Sequence, residues 1–138
     1  MTTKDKELLL KVLCEGLPYK VLCDRLGKVY ELVDVDIKRG LIYLLRDELY
    51  VPYSIKNGDV VKPYLRPMSS ITEEEKEFID NRTGQIEDCY RIPRNCIWLG
   101  EVKNVVDFYN SSHLDWRGLI KKGLALEAHK DMYKINQV

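Results

Sequence analysis

The sequence has no hydrophobic run approaching the roughly 20 apolar residues that span a bilayer. Its first stretch, "MTTKDKELLLKVLCEGL", has no long apolar core and no small-residue cleavage site, so no secretory signal is expected. Net charge is missing too: 22 Lys and Arg face 22 Asp and Glu in 138 residues. That excludes a molecule whose whole surface is built to hold nucleic acid, but leaves room for a local basic patch. Cysteine and histidine are scarce. The four cysteines, Cys14, Cys23, Cys89 and Cys96, form no C-x-x-C pair, and only two histidines could assist them. The Cys89–Cys96 spacing fits no common zinc pattern, so buried or unreactive thiols, no metal and no cofactor are expected. H-E-x-x-H, a Walker-type loop and G-x-G-x-x-G are all missing, as are internal repeats and low-complexity segments.

What is present is ordinary globular composition, 45% hydrophobic and 32% charged. A single domain over 1–138 is expected, and a chain of this length buries roughly two thirds of its unfolded surface. It divides into a leading helix (1–16), a β meander (17–66) and a helical segment (67–138) with a loop excursion at 81–101. In "KDKELLLKVLCE", residues 4–15, Leu9, Val12, Leu13 and Cys14 lie near one face, which predicts a short amphipathic helix. Gly16 stands where a cap would sit and Pro18 blocks continuation. Residues 19–65 are rich in Val, Ile, Leu and Tyr and are broken at Leu26-Gly27, Lys38-Arg39-Gly40 and Asn57-Gly58. Strands are predicted near 19–25, 28–36, 41–46, 49–55 and 60–65. Asn57-Gly58 is the strongest hairpin signal, because a type I′ turn needs positive φ at both central residues. Five short antiparallel strands tend to curl, so the expected architecture is α+β: an N-terminal helix, a five-stranded curled sheet resembling a small SH3-like barrel, and short C-terminal helices packed on it. Pro52 belongs on an edge or at a bulge.

The stretch "KPYLRPMSSITEEEKEF", 62–78, reads as a joint. Lys62 and Arg66 each precede a proline and are pushed to extended backbone. Thr72 and Glu75 have capping-box spacing at the head of a helix over about 73–80, with Glu73 and Glu74 in its first turn. Residues 81–101 show no period, though "CIWLG" suits a short strand. Val102, Val105, Val106 and Tyr109 share one helical face. Asp115 is placed to cap a second short helix over 115–122, stopped by Gly123. "LALEA" suits a short strand, and the tail from His129 is expected to fray.

In "SSHLDWRG", residues 111–118, Ser111, His113 and Asp115 are the types used in acyl transfer, and Arg117 suits an anion. Neighbours in one tight turn rarely converge on one reacting atom, so turn and capping roles account for them better and no catalytic residue is assigned. Helix 102–110, turn 111–114 and helix 115–122 can also be drawn as a helix-turn-helix, with Arg117, Lys121 and Lys122 toward phosphates. Against that stand Gly118 inside the second helix and the neutral total charge. Nine tyrosines and two tryptophans supply the half-polar side chains enriched at protein interfaces. Six of the tyrosines, Tyr19, Tyr30, Tyr43, Tyr50, Tyr53 and Tyr64, fall in the strand-rich part, where core or cross-strand packing is the plainer role.

Two segments, "KPYLRPMSSITEEE" and "DFYNSSHLDWRGLIKKGLALEA", carry a resemblance. They look like parts of a group of small, mostly uncharacterised proteins encoded by phages, prophages and mobile elements of Bacteroides-type gut bacteria. Members carry a "KPYLRPMSSMTEEE"-like segment and end near H-x-D-Y/W-R-G-L-I-x-x-G-L-A-L-E-A, here His113 to Ala128. The excursion at 81–101 and the tail after Ala128 depart from that pattern. The resemblance carries no catalytic residue. It implies a setting in the host cytoplasm or on the virion, and a role in phage assembly, phage–host interaction or regulation. The resulting expectation is a non-enzymatic protein-binding or assembly module, with no membrane partner. A surface of Arg66, His113, Asp115, Trp116 and Arg117 would meet the partner. The alternative is a nucleic-acid-binding or regulatory protein that uses Arg117, Lys121 and Lys122.

Overall fold

The computed structural model describes residues 1–78, 105–129 and 131–133. The excursion expected over 81–101, its "CIWLG" strand, Cys89 and Cys96 lie outside the described residues.

The first helix, α1 (Thr3–Gly16), begins at a reciprocal cap in which Thr2 Oγ1 accepts from Asp5 N–H while the Asp5 carboxylate accepts from Thr2 N–H. It buries Leu9, Leu10 and Leu13, with Val12 and Cys14 half-buried beside them. It must end bare at Gly16. A Cβ there would come within 2.6 Å of Val21 Cγ2. A single 3-10 turn, Leu17–Tyr19, then leads into the sheet through Lys20, which is left-handed at φ 56°.

Five strands follow close to the expected bounds: β1 (Leu22–Arg25), β2 (Lys28–Asp36), β3 (Leu41–Arg46), β4 (Leu49–Ser54) and β5 (Lys62–Leu65). Two connections are tight hairpins. Leu26 and Gly27 both have positive φ, as do Asp47 and Glu48, which is the backbone a two-residue turn requires. Alternation does the rest, with Ile42 and Leu44 of β3 fully buried and their neighbours only half-buried. Pro52 lies in β4, at the edge of the sheet, as expected. Of the strand-region tyrosines, Tyr53 and Tyr64 are buried while Tyr50 is 70% exposed.

The curled five-stranded antiparallel sheet and the SH3-like barrel need correction. A sixth strand, β6 (Leu126–Glu127), pairs parallel with β5, and the sheet is open and mixed with the order β4-β3-β2-β1-β5-β6. The physical reason begins at Asn57-Gly58. Only Gly58 has positive φ there, so no type I′ hairpin forms. Asp59 instead closes a loop, its carboxylate accepting from Ser54 N–H at 2.7 Å while its N–H donates to the Ser54 carbonyl at 2.9 Å. The chain leaves β4 and pairs with β1, Cys23 opposite Pro63. The core joins α1 and the sheet to the C-terminal segment: Leu9 and Leu13 pack with Ile42, Leu44, Leu119 and Leu124. With its apolar residues buried in this way, the sheet has no need to close on itself.

Beyond β5, the Thr72–Glu75 capping box forms as expected, at 3.0 and 3.2 Å, and heads a helix α2, described over 73–78. A third helix, α3, is described over 105–111. The second short helix expected over 115–122 is corrected to a run of turns, because Gly118 and Gly123 take φ of 76° and 75°. The tail is corrected in part: Tyr133 is buried at 8% exposure. Cys23 is fully buried, and burial pushes its thiol pKa well up, so it is inert at neutral pH. Among the described residues no helix is long and apolar enough to cross a membrane.

Leu44 is 0% exposed at the centre of this core. Leu44→Ala is expected to cost about 2–5 kcal/mol of unfolding free energy, read from chemical denaturation midpoints.

Candidate functional site

The two segments singled out in the sequence meet in space. Arg66 follows β5 directly, is kept out of helical backbone by Pro67 after it, and forms a parallel bridge with Leu114. Arg66 N–H donates to the His113 carbonyl at 2.7 Å, and Asp115 N–H donates to the Arg66 carbonyl at 2.8 Å. The Arg66 guanidinium extends the clamp. Its Nη1 donates to Glu75 Oε2 at 2.9 Å and to the Ser112 carbonyl at 3.3 Å. Its Nη2 donates to Glu75 Oε1 at 2.6 Å and to the Ser70 carbonyl at 3.1 Å. Every terminal N–H of the guanidinium is therefore engaged, and the Glu75 pair is bidentate. The Arg66 hydrogen bond, with help from Thr72, outweighs partial burial and holds the Glu75 carboxyl down to about 2.

His113 sits on the other side of this clamp. It is 6% exposed and left-handed at φ 58°, and its ring stacks on Tyr133 with centroids 3.7 Å apart. Burial, and then the nearby Arg66 cation, push its pKa down to about 4, so the imidazole is neutral at pH 7. Tyr133 ties this corner to the sheet: its hydroxyl donates to the Tyr64 carbonyl at 2.7 Å and accepts from Leu22 N–H at 3.1 Å. Burial pushes that phenol well above its ordinary pKa.

Around these groups opens a cleft of about 810 Å³. Among the described residues its lining comes from the 66–75 stretch (Arg66, Pro67, Ser70, Thr72, Glu74 and Glu75), from Ser111, Ser112 and His113, and from Tyr19, Lys20, His129 and Tyr133. The volume lies within the 300–1,000 Å³ typical of ligand sites (roughly, across many proteins).

The remaining candidates lie elsewhere or serve the frame. The Asp115 carboxylate is turned inward and accepts from Leu119 and Ile120 N–H at 2.7 and 3.0 Å, which is a capping role on a turn instead of a helix. Arg117 pairs with Glu15 of α1 at 2.8 Å and lies over the Trp116 ring at 4.1 Å. Trp116 Nε1 donates to Asn110 Oδ1 at 2.9 Å. Trp116 and Arg117 thus form a second cluster against α1, and neither lines the cleft. Ser111 Oγ donates to the Phe108 carbonyl, so Ser111, His113 and Asp115 do not assemble as an acyl-transfer set. Lys121 and Lys122 are exposed on the turns, not on a recognition helix. Among the described residues no group of three or more His, Cys, Asp and Glu could hold a metal ion.

Sequence reasoning missed Tyr133, Glu15 and the long-range role of Glu75. Comparison with protein-family models, with curated proteins and with solved structures gave no match.

Two pH windows follow from the shifted groups. Below its ordinary pKa of 6.5 His113 takes up a proton only when unfolded, until about 4. The unfolded state then binds more protons, so this contribution is full above 6.5 and is lost as the pH falls to about 4. Glu75 contributes above its ordinary 4.5 and loses the contribution as the pH falls to about 2. Thermal melts across pH 2–7 are expected to lose the upper slope in His113→Asn, whose side chain tolerates positive φ, and the lower one in Glu75→Gln.

Proposed function

We propose that this chain is a non-catalytic protein-binding or assembly module of a phage or mobile element, and that a segment of its partner lies in the cleft beside His113. The observation that carries this reading is the origin of the cleft walls. Most of the lining comes from "KPYLRPMSSITEEE" and from the 107–128 segment, the two stretches on which the resemblance to phage and mobile-element proteins rests. The groups that would serve acid–base chemistry support it as well. Glu75 is held by Arg66 and Asp115 by two backbone amides, so neither carboxylate is paired with His113. Such a frame gives a rigid rim around an open, partly polar trough, which suits recognition of an extended segment. In this reading Arg66 shapes the cleft from behind. His113, Ser111, Ser112 and Lys20 are the side chains that meet the partner, in the cytoplasm of the host or on the virion. Asp115, Trp116 and Arg117 hold the loop in place.

The test is co-purification of the full chain with the product of each gene flanking its own. One neighbour is expected to be retained, and Ser111→Trp, which fills the trough from an exposed position, is expected to lower that affinity at least tenfold while leaving the melting temperature unchanged. Retention unaffected by Ser111→Trp, or no retained neighbour, overturns the reading. Salt-sensitive binding to DNA or RNA, weakened by Lys121→Ala, would put the nucleic-acid alternative in its place.

A further inference from the structure

A second, much smaller cavity of about 20 Å³ lies between α1 and the 110–119 loop. Its lining is apolar along Val12, Leu13 and Leu65 and polar at His113, Asp115 and Arg117. Two buried side-chain atoms of the described residues have no hydrogen-bond partner, His113 Nδ1 and Arg117 Nε, and both belong to residues that line this space. Leaving a buried polar atom unpaired costs about 1–3 kcal/mol, so two of them on residues that line one cavity call for a partner. A water molecule needs roughly 10–15 Å³ measured in the same way and two to four polar neighbours. The volume admits one water and has no room for a larger ligand.

The chemistry of the two atoms is complementary through a water. Arg117 Nε–H can only donate. The two nearby oxygen acceptors already have donors: Asp115 holds two backbone amides and Asn110 Oδ1 holds Trp116 Nε1. An unprotonated His113 Nδ1 is a further acceptor on this lining, and it has no donor at all. We propose that the cavity is a binding site for a single water that accepts from Arg117 Nε and donates to His113 Nδ1, and that this fixes His113 as the Nε2–H tautomer. The water then continues a polar chain from Glu15 of α1, through Arg117, to the ring that lines the cleft. It also selects what that ring can recognise. With Nδ1 occupied inside, the polar group left to His113 is an N–H donor, which fits a carbonyl or carboxylate oxygen. This last step rests on the cleft being the binding surface.

The test is the ring ¹⁵N spectrum of the histidine-labelled full chain at pH 7, with exposed His129 as the internal reference. His113 is expected to be neutral with its proton on Nε2. Arg117→Lys keeps a cation for Glu15 but has no Nε–H, and is expected to move the tautomer ratio at least threefold toward Nδ1–H. A high-resolution crystal structure is expected to show one solvent atom within hydrogen-bond distance of both nitrogens. An Nδ1–H tautomer in the wild type, a ratio unmoved by Arg117→Lys, or a dry cavity overturns the proposal. If Arg117→Lys does not fold, the wild-type spectrum and the solvent density decide. Loss of partner binding with the Nε2–H tautomer intact would count against the cleft reading alone.

Discussion

Arg66 is gripped by both of its backbone groups and by both ends of its guanidinium, and it ties the 112–115 loop, remote in sequence, to the nearby Ser70 and Glu75. Through its backbone it fastens the exit of β5 to the 113–115 loop. Through its side chain it fastens the head of α2 and the carbonyls of Ser70 and Ser112. The bidentate pair with Glu75 is partly buried, with side chains 21% and 17% exposed, so it is less screened than a surface ion pair. The clamp adds to the β5–β6 pairing, which joins the same two segments farther along the chain. The left-handed turn at His113 presents its carbonyl to Arg66 and its ring to Tyr133, so one backbone conformation serves both contacts.

Much of the fold was legible because it is written locally. Ile42 and Leu44 alternate with half-buried neighbours, the Leu26-Gly27 turn falls between runs of strand formers, and "LALEA" supplies a short strand where one was expected. What was not legible is pairing. The Asn-Gly dipeptide is a strong local signal, yet Asp59 closes a different loop there and sends β5 to β1. The parallel place of β6 depends on a neighbour some sixty positions away, Leu126 opposite Tyr64, and no dipeptide encodes that. Asp47-Glu48 turns without a glycine, so only the strand runs on either side pointed to it.

The candidate site shows the same division. The spacing makes Glu75 a cap residue, and it is one: Oε1 accepts from Thr72 N–H at 3.0 Å. The same oxygen accepts from Arg66 at 2.6 Å, and a local role that suffices conceals a distant one. Arg66 and His113 meet through the backbone and line one cleft, whereas Trp116 and Arg117 turn to α1, ahead of the left-handed Gly118. Tyr133 left no trace in the sequence pattern. A single aromatic in a polar tail has no periodicity from which burial can be inferred.

The reach of the Tyr133 contact has a consequence for how the chain acquires its shape. The hairpins β1–β2 and β3–β4 close over two intervening residues, whereas Tyr133 meets Leu22 across 111 positions. Closing a loop costs more entropy as it lengthens, about 0.6 kcal/mol per doubling, and contacts of large separation slow folding. The meander can therefore assemble while the C-terminal third is still searching. Leu119 and Leu124 come from that third, so the part of the core that they fill closes only once it has docked.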